Sequence, residues 1–228
     1  MDDKIKLLQD WIDESANIVF FGGAGVSTES GIKDFRSKDG LYNMKYKYPP
    51  ESILSHSFFM RNPDDFYKFY RDKLNCLDAK PNICHEYLVK LENIGKLTAI
   101  ITQNIDGLHE KAGSKNVLNL HGTIYKNYCM DCGKEISYKK IFESDSIPRC
   151  ECGGIVKPDV VLYGEMLPEY VYNQALTLVN KADLMIVAGT SLTVYPASSF
   201  VSYFRGKHLV IINNDETDYD RIADLVIH

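Results

Sequence analysis

No stretch of this sequence approaches the roughly 18 uninterrupted apolar residues that a membrane-spanning helix needs, so an integral membrane protein is not expected. Positive charge is not in excess either: 26 Lys+Arg stand against 31 Asp+Glu, a formal charge of -5. Non-specific binding to nucleic acid relies on many cations neutralising phosphates, and is therefore not expected. Glycine and proline, 15 and 8 among 228 residues, sit near average usage, which excludes fibrous and low-complexity classes. The start, Met1-Asp2-Asp3-Lys4, is acidic where a secretory signal is basic and then apolar, so the expected compartment is the reducing cytoplasm. There the six cysteines read as metal ligands or buried small hydrophobes before they read as disulfides. What remains, 45% hydrophobic and 25% charged, is the composition of a compact protein of one or two domains.

Ile5, Leu8, Trp11 and Ile12 share one helical face, and the short apolar run Ile18-Val19-Phe20-Phe21 follows. Similar runs recur at Leu97 to Ile101, Val117 to Leu120, Leu184 to Ala188 and Leu209 to Ile212, separated by segments long enough for helices. The pattern is α/β with a mostly parallel sheet. Such sheets bind ligands outside the carboxyl ends of their strands, and small or polar clusters fall there five times. They are Gly22 to Ser27, Thr102 to Asp106, His121-Gly122-Thr123, Gly189-Thr190-Ser191 and Asn213-Asn214-Asp215. One shared ligand crevice is expected.

Two segments break the strand rhythm. Gly40 to Lys80 is rich in Tyr and Phe, and Asn62-Pro63-Asp64-Asp65 reads as a helix start with a cap, an N1 proline and acids in the first turn. It reads as a helical insertion. Lys126 to Lys157 holds four cysteines in a stretch too polar for its own core, and reads as a metal-held insertion. Cys129-x2-Cys132 and Cys150-x-Cys152, 17 residues apart, are close to a four-thiolate zinc spacing, with Gly153-Gly154 available for the turn that the tight second pair needs. Four thiolates leave no open position, so this zinc is read as structural. Cys76 and Cys84 are read as buried hydrophobes.

Gly23-Ala24-Gly25 after a strand suits a tight turn that approaches a pyrophosphate at a helix N-terminus. The usual dinucleotide fingerprint would place Gly or Ala where Thr28 stands, and a carboxylate ending a second strand roughly 20 residues on. Neither is present, so any nucleotide is held differently from a standard dehydrogenase's. His121 ends an apolar strand on the crevice side, and an ordinary imidazole pKa of about 6.5 suits a general base near neutral pH. His56, His109 and His208 read as loop or helix surface, His85 has helical spacing to Leu88, and these four are read as structural.

Gly23 to Ser27 through Gly31-Ile32-Lys33-Asp34-Phe35-Arg36, Thr102 to His109, Leu120 to Thr123, the four cysteines, Lys157 to Glu165 and Gly189-Thr190-Ser191-Leu192 together resemble the sirtuins, NAD-dependent protein-lysine deacylases. The resemblance covers nearly the whole chain, in the family's order. It implies a Rossmann-like NAD-binding domain of residues 1–37, 81–125 and 158–228, with a small domain formed by a helical insertion, 38–80, and a zinc insertion, 126–157. It implies that Ala24, Gly25, Ser27, Thr28, Gly189, Thr190, Ser191 and Asn213 line the adenosine and phosphate path. Gln103 and Asn104 would hold the nicotinamide ribose, Ile105 and Asp106 the carboxamide, and Asp34, Phe35 and Arg36 would lie on a loop closing over the cofactor. Val160, Val161, Leu162, Tyr163, Gly164 and Glu165 would add a strand to an extended substrate peptide, which reads backbone more than side chains. Sirtuins that prefer succinyl or malonyl lysine carry a Tyr-x-x-Arg pair, and Tyr70 and Lys73 stand at the matching positions as read from the sequence.

The expectation is an NAD-dependent protein deacetylase, with His121 as base, structural Zn2+ on Cys129, Cys132, Cys150 and Cys152, and acetylated proteins or peptides as substrates. The alternatives are ADP-ribosyl transfer to protein and removal of longer neutral acyl chains. A zinc-ribbon nucleic-acid module is disfavoured by the charge and by the lack of a Lys/Arg stripe around the cysteines.

Overall fold

A computed structural model describes residues 2–36, 40–43 and 45–228. The first helix, α1 (Asp2–Glu14), leads into β1 (Ile18–Gly22), whose five residues are all buried. The turn after β1, Ala24–Ser30, is a 3-10 helix and not the α-helix that a dinucleotide turn opens. Four short or medium helices follow: α2 (Pro50–Ile53), α3 (His56–Arg61), α4 (Pro63–Lys73) and α5 (Ile83–Asn93). Then come β2 (Leu97–Thr102), α6 (Leu108–Ala112), β3 (Val117–Asn119), β4 (Gly122–Cys129), α7 (Tyr138–Phe142) and β5 (Val156–Val160). The chain closes with α8 (Glu169–Lys181), β6 (Leu184–Ala188), α9 (Phe200–Tyr203), β7 (His208–Ile212) and β8 (Leu225–Ile227).

Six strands form one sheet in the order β3-β2-β1-β6-β7-β8, and every neighbouring pair is parallel. Apolar residues alternate across it because successive strand side chains point to opposite faces. Val19, Phe21, Ile101, Met185, Val187, Leu209 and Ile211 pack with Ala175 and Val179 of α8 and with Phe200. Ile18, Phe20, Ile100, Leu184, Ile186 and Val210 pack with Leu88 and with Leu8, Trp11 and Ile12. Ile5, expected on the same buried stripe, is half exposed. The five apolar runs are all strands of this sheet, and β8 joins it as a strand the sequence pattern did not single out.

A third core lies apart from the sheet. Phe58, Phe59, Phe66, Tyr67, Phe69 and Tyr70 pack with Ile124, Cys129, Ile141, Cys150, Val156, Val160 and Leu162. The helical and cysteine-bearing segments therefore share a core, which answers how a stretch as polar as 126–157 is held. Around it β4 and β5 form an antiparallel pair. Pro63 does open α4, with Asp64 and Asp65 in its first turn, but Asn62 makes no side-chain cap. Asn62 also ends α3, where its backbone N–H donates to Phe58 O at 2.7 Å, and its backbone carbonyl receives Phe66 N at 3.0 Å. The boundary expected at residues 37 and 38 lies outside the described residues.

Candidate active site and metal centre

Because all six strands run the same way, the segments after β1, β2, β3, β6 and β7 emerge on one edge of the sheet. The turns after β1 and β6 pack directly on each other. Gly25 N donates to Gly189 O at 2.8 Å, and a Cβ on Gly25 would lie 2.7 Å from the Gly189 Cα, closer than real contacts allow. Gly189 itself has φ of 59°, in the left-handed region. These glycines are thus needed for turn-on-turn packing, whatever ligand they also approach. Thr28 turns its hydroxyl back onto Gly25 O at 2.9 Å, and Ser191 bonds Thr193 at 2.8 Å on the outer side. Asn213, at the end of β7, is held by Ile227 O and donates through its amide to Asp215 O.

Behind this edge a buried polar network joins the first two turns. Asn104 Nδ2 donates to Ser27 Oγ at 3.0 Å, and Ser27 Oγ donates to Asp106 Oδ2 at 2.7 Å. Asp106 Oδ1 receives Leu108 N at 2.9 Å, so both carboxylate oxygens are occupied. Gln103 reaches the other way, donating from Nε2 to Thr190 Oγ1 at 3.0 Å. The polar residues 103, 104, 106, 27 and 190 therefore form one continuous wall, with Ile105 packed against the third core.

His121 follows β3 and Leu120 directly. Its Nδ1 lies 2.9 Å from Gln103 O, and a carbonyl can only accept, so Nδ1 carries the proton. Nε2 is then the basic nitrogen. Burial pushes the imidazole pKa below its ordinary value, with the Gln103 carbonyl pulling part of the way back. His121 O also receives Val161 N at 3.0 Å, so the candidate base is tied to the candidate peptide segment through its own backbone.

Val160 ends β5, and the residues after it are held from both sides. Tyr163 N donates to Leu54 O and His56 N donates to Tyr163 O, both at 2.9 Å. Glu165 turns its carboxylate inward. Its Oε2 receives Leu162 N at 2.8 Å and Lys157 Nζ at 3.1 Å, and its Oε1 lies 2.8 Å from His56 Nδ1. Burial pushes the Glu165 carboxyl up, but the Leu162 N–H, His56 and Lys157 together hold it below the ordinary value. Lys157 and His56 were not singled out from the sequence as site residues. A lysine within a buried strand was the available signal for the first, and nothing local pointed to the second.

In the segment expected to close over the cofactor, Arg36 N bonds Asp34 Oδ1, Tyr42 N bonds Phe35 O, and the Phe35 and Tyr42 rings lie 5.4 Å apart. Tyr70 and Lys73 do not form a joint anchor. Tyr70 is fully buried between Phe66 and Phe142, whereas Lys73 pairs with Asp72 at 3.1 Å and lies over the Tyr46 ring. His109, read from the sequence as surface, is buried on α6 against His85, ring centroids 4.7 Å apart. The thiols of Cys76 and Cys84 are half-buried, and burial pushes them up to about 12 and about 11.

The four remaining thiols come together at the turn ends of the β4 and β5 region. Cys129, Cys132, Cys150 and Cys152 place all four sulfurs within 4.8 Å of one another, with Cys129 to Cys152 at 3.4 Å and Cys132 to Cys150 at 3.7 Å. Tetrahedral zinc with Zn–S of about 2.3 Å sets its ligands about 3.8 Å apart, so the cluster fits that ion. Gly153, at φ of 93°, follows the pair and donates its N–H to Cys150 O at 2.9 Å, closing the turn that carries Cys150 and Cys152. A Cβ on Gly154 would stand 2.6 Å from the Cys129 sulfur.

Residues 23–196 match the model of the Sir2 family. The chain belongs to that family. An NAD-dependent protein deacetylase from Clostridium acetobutylicum is 56% identical over 229 residues, covering 99% of this chain and 94% of the relative. One from Clostridium perfringens is 56% identical over 232 residues, covering 100% and 95%. A Sir2 structure with a p53 peptide and NAD+ superposes with a TM-score of 0.87 at 41% identity, covering 98% of this chain and 92% of that one. Among the described residues no helix is long and apolar enough to cross a membrane.

Proposed function

We propose that this Sir2-family protein is an NAD-dependent protein deacetylase, converting an acetyl-lysine protein or peptide, NAD and one water to free lysine, nicotinamide and 2'-O-acetyl-ADP-ribose. The observation that carries the reading is His121, whose Nδ1 proton is spent on Gln103 O while its backbone carbonyl holds Val161. A base with its free nitrogen fixed by one neighbour is thereby positioned against the segment that docks the peptide. When bound, NAD supplies the electrophilic ribose carbon and nicotinamide as the leaving group.

The rest of the machinery is the protein's own. Asn104 and Gln103 offer amides to the ribose, and Ile105 with Asp106, whose carboxylate Ser27 holds in place, forms the end that receives the carboxamide. Ala24, Gly25, Thr28, Gly189, Thr190, Ser191 and Asn213 line the phosphate and adenosine side, and Asp34, Phe35 and Arg36 cover it. His121 takes up a proton at Nε2 from the ribose hydroxyl that attacks the acyl carbon. Val160 to Gly164 receive the peptide backbone, and Glu165 keeps that segment in shape. We infer a two-unit organisation, residues 38–80 and 126–157 packing as a small domain beside the sheet, with Cys129, Cys132, Cys150 and Cys152 holding structural Zn2+. Four clustered thiols suit a reducing compartment, which supports a cytoplasmic location.

Incubation with an acetyl-lysine peptide, with and without NAD, tests the reading directly. Mass spectrometry should show nicotinamide and deacetylated peptide in equal amounts, only when both substrates are present. ADP-ribose attached to peptide or protein, without loss of acetyl, would replace deacetylation with transfer.

A further inference from the structure

We propose that the contact between the Tyr42 and Tyr163 hydroxyls couples the cofactor side of the site to the peptide side, so that NAD and an acetyl-lysine peptide each tighten the other's binding. The proposal rests on the function assigned above. The two oxygens lie 2.5 Å apart, joining positions 121 residues distant in the chain. Each tyrosine belongs to a different half of the site, and each is fixed there by bonds other than this one.

Tyr163 is held by its backbone. Its N–H donates to Leu54 O and its carbonyl receives His56 N, both at 2.9 Å, two residues after Val161 has bonded His121 O. An extended peptide docking on this segment therefore acts on a residue whose phenol is already directed at Tyr42. Tyr42 is held on the cofactor side. Its N–H donates to Phe35 O at 2.9 Å, its ring lies 5.4 Å from that of Phe35, and the Arg36 guanidinium sits over it at 5.2 Å. Leu41 N bonds Asp34 O at 2.9 Å, so the stretch carrying Tyr42 is laced to Asp34, Phe35 and Arg36. Burial, and then the bond to Tyr163, push the Tyr42 phenol far above its ordinary range. The contact is a hydrogen bond between phenols in which either oxygen can donate.

A ligand that steadies Tyr163 removes part of the ordering cost of Tyr42, and through it of Phe35 and Arg36. The reverse holds equally, because coupling between two binding sites is reciprocal. The strength expected of one neutral hydrogen bond is about a two- to ten-fold change in an equilibrium constant. A contact that merely stiffens the fold would raise thermal stability and leave the ratio of affinities with and without the second ligand unchanged.

The test uses Tyr42→Phe, Tyr163→Phe and the double variant, which remove hydroxyls and keep the rings packed. Calorimetry gives the dissociation constant of a carbocyclic NAD analogue that cannot release nicotinamide, with and without saturating acetyl-lysine peptide, and of the peptide with and without the analogue. In the unmodified protein each ligand should tighten the other by one common factor. Each single variant should lower that factor about two- to ten-fold, and the double variant should lower it no further than either single. An unchanged factor in the single variants, no mutual tightening in the unmodified protein, or losses that multiply in the double variant would each overturn the proposal. Absence of NAD-dependent deacetylation with mutual tightening intact would instead overturn the assigned reaction and leave the coupling standing.

Discussion

Ser27 donates its hydroxyl proton to Asp106 Oδ2 at 2.7 Å, and this bond helps join the turn after β1 to the turn after β2 at the carboxyl edge of the sheet. Ser27 accepts at the same time from Asn104, so the hydroxyl cannot rotate without breaking one bond or the other. Asp106→Asn keeps the shape but exchanges a carboxylate for an amide. A hydrogen bond to a charged group contributes about 1.5 to 3 kcal/mol, and productive NAD binding should weaken by that order. Nicotinamide inhibition should weaken with it, since the same carboxamide enters the same pocket. Steady-state kinetics with both ligands varied would show this; unchanged NAD dependence together with unchanged inhibition would place the pocket elsewhere.

His121→Ala should cost about 10²- to 10⁴-fold in turnover, the usual range for a general base. The pH profile carries a more specific expectation. Burial disfavours the imidazolium, so the neutral, base-competent form persists below the ordinary pKa of about 6.5. The acid limb of kcat/KM should therefore have its midpoint below 6.5 and vanish from the profile of the alanine variant. A midpoint above 6.5 would mean that the charged form is the one stabilised.

The strands of the sheet were legible because a parallel strand buried on both faces must be an apolar run, as Leu184 to Ala188 is. The place of the polar turns was legible for the same reason: where a run ends, the next residues stand at the carboxyl edge of the sheet, as Thr102 to Asp106 and His121 do. The packing of Gly25 on Gly189 was not legible, since it depends on two turns meeting that are far apart in sequence. Nor was the burial of His109, which has the charged neighbours Glu110 and Lys111 and meets His85 only through the fold. The partners of Glu165, Lys157 and His56, were not legible either, because they are set by the path of the chain after β5. The resemblance sets Tyr70 and Lys73 at the positions of a Tyr-x-x-Arg pair, yet α4 buries the first and leaves the second with Asp72.

Zinc removal should unfold and not merely inhibit. Cys129 and Cys150 belong to the same core as Phe59, Phe66 and Ile141, so loss of the ion frees buried apolar surface. Binding energy at a structural zinc is folding energy, about 10 to 16 kcal/mol in zinc-finger peptides near neutral pH. Cys129→Ala should lower both the melting temperature and the soluble yield, and elemental analysis of the unmodified protein should find one zinc per chain. Stripped protein that keeps its melting temperature and loses only activity would make the ion catalytic.

Glu165 and Lys157 should act on peptide binding without touching the peptide. The Lys157 side chain is only 7% exposed, and Glu165→Gln would leave its ammonium without a counter-charge. Breaking such a pair from one side costs about 3 to 5 kcal/mol, whereas replacing both partners is far milder. The peptide KM should rise in Glu165→Gln with the NAD KM unchanged, and Lys157→Met in the same chain should recover part of the loss. A rise confined to the NAD KM would separate Glu165 from the peptide segment.

Acid should weaken the fold through His109. Both of its ring nitrogens are buried without a hydrogen-bond partner, and burial, with His85 adding to it, lowers the imidazole pKa to about 3. In the unfolded chain the same group titrates near its ordinary 6.5, so below that pH the unfolded state binds a proton that the folded state does not. The sign follows: stability is fully present above about 6.5 and is lost progressively as pH falls from there toward 3. At about 1.4 kcal/mol per pH unit, roughly 2 kcal/mol should be gone by about pH 5 on account of this one residue. His109→Phe keeps a ring beside Phe20 and His85 and removes the proton site. Denaturant unfolding at pH 7 and pH 5 should therefore show a larger drop in the unmodified protein than in the variant, by about that amount. Equal drops in both would mean that His109 stays uncharged in the unfolded chain too, or finds a partner for its proton in the folded one.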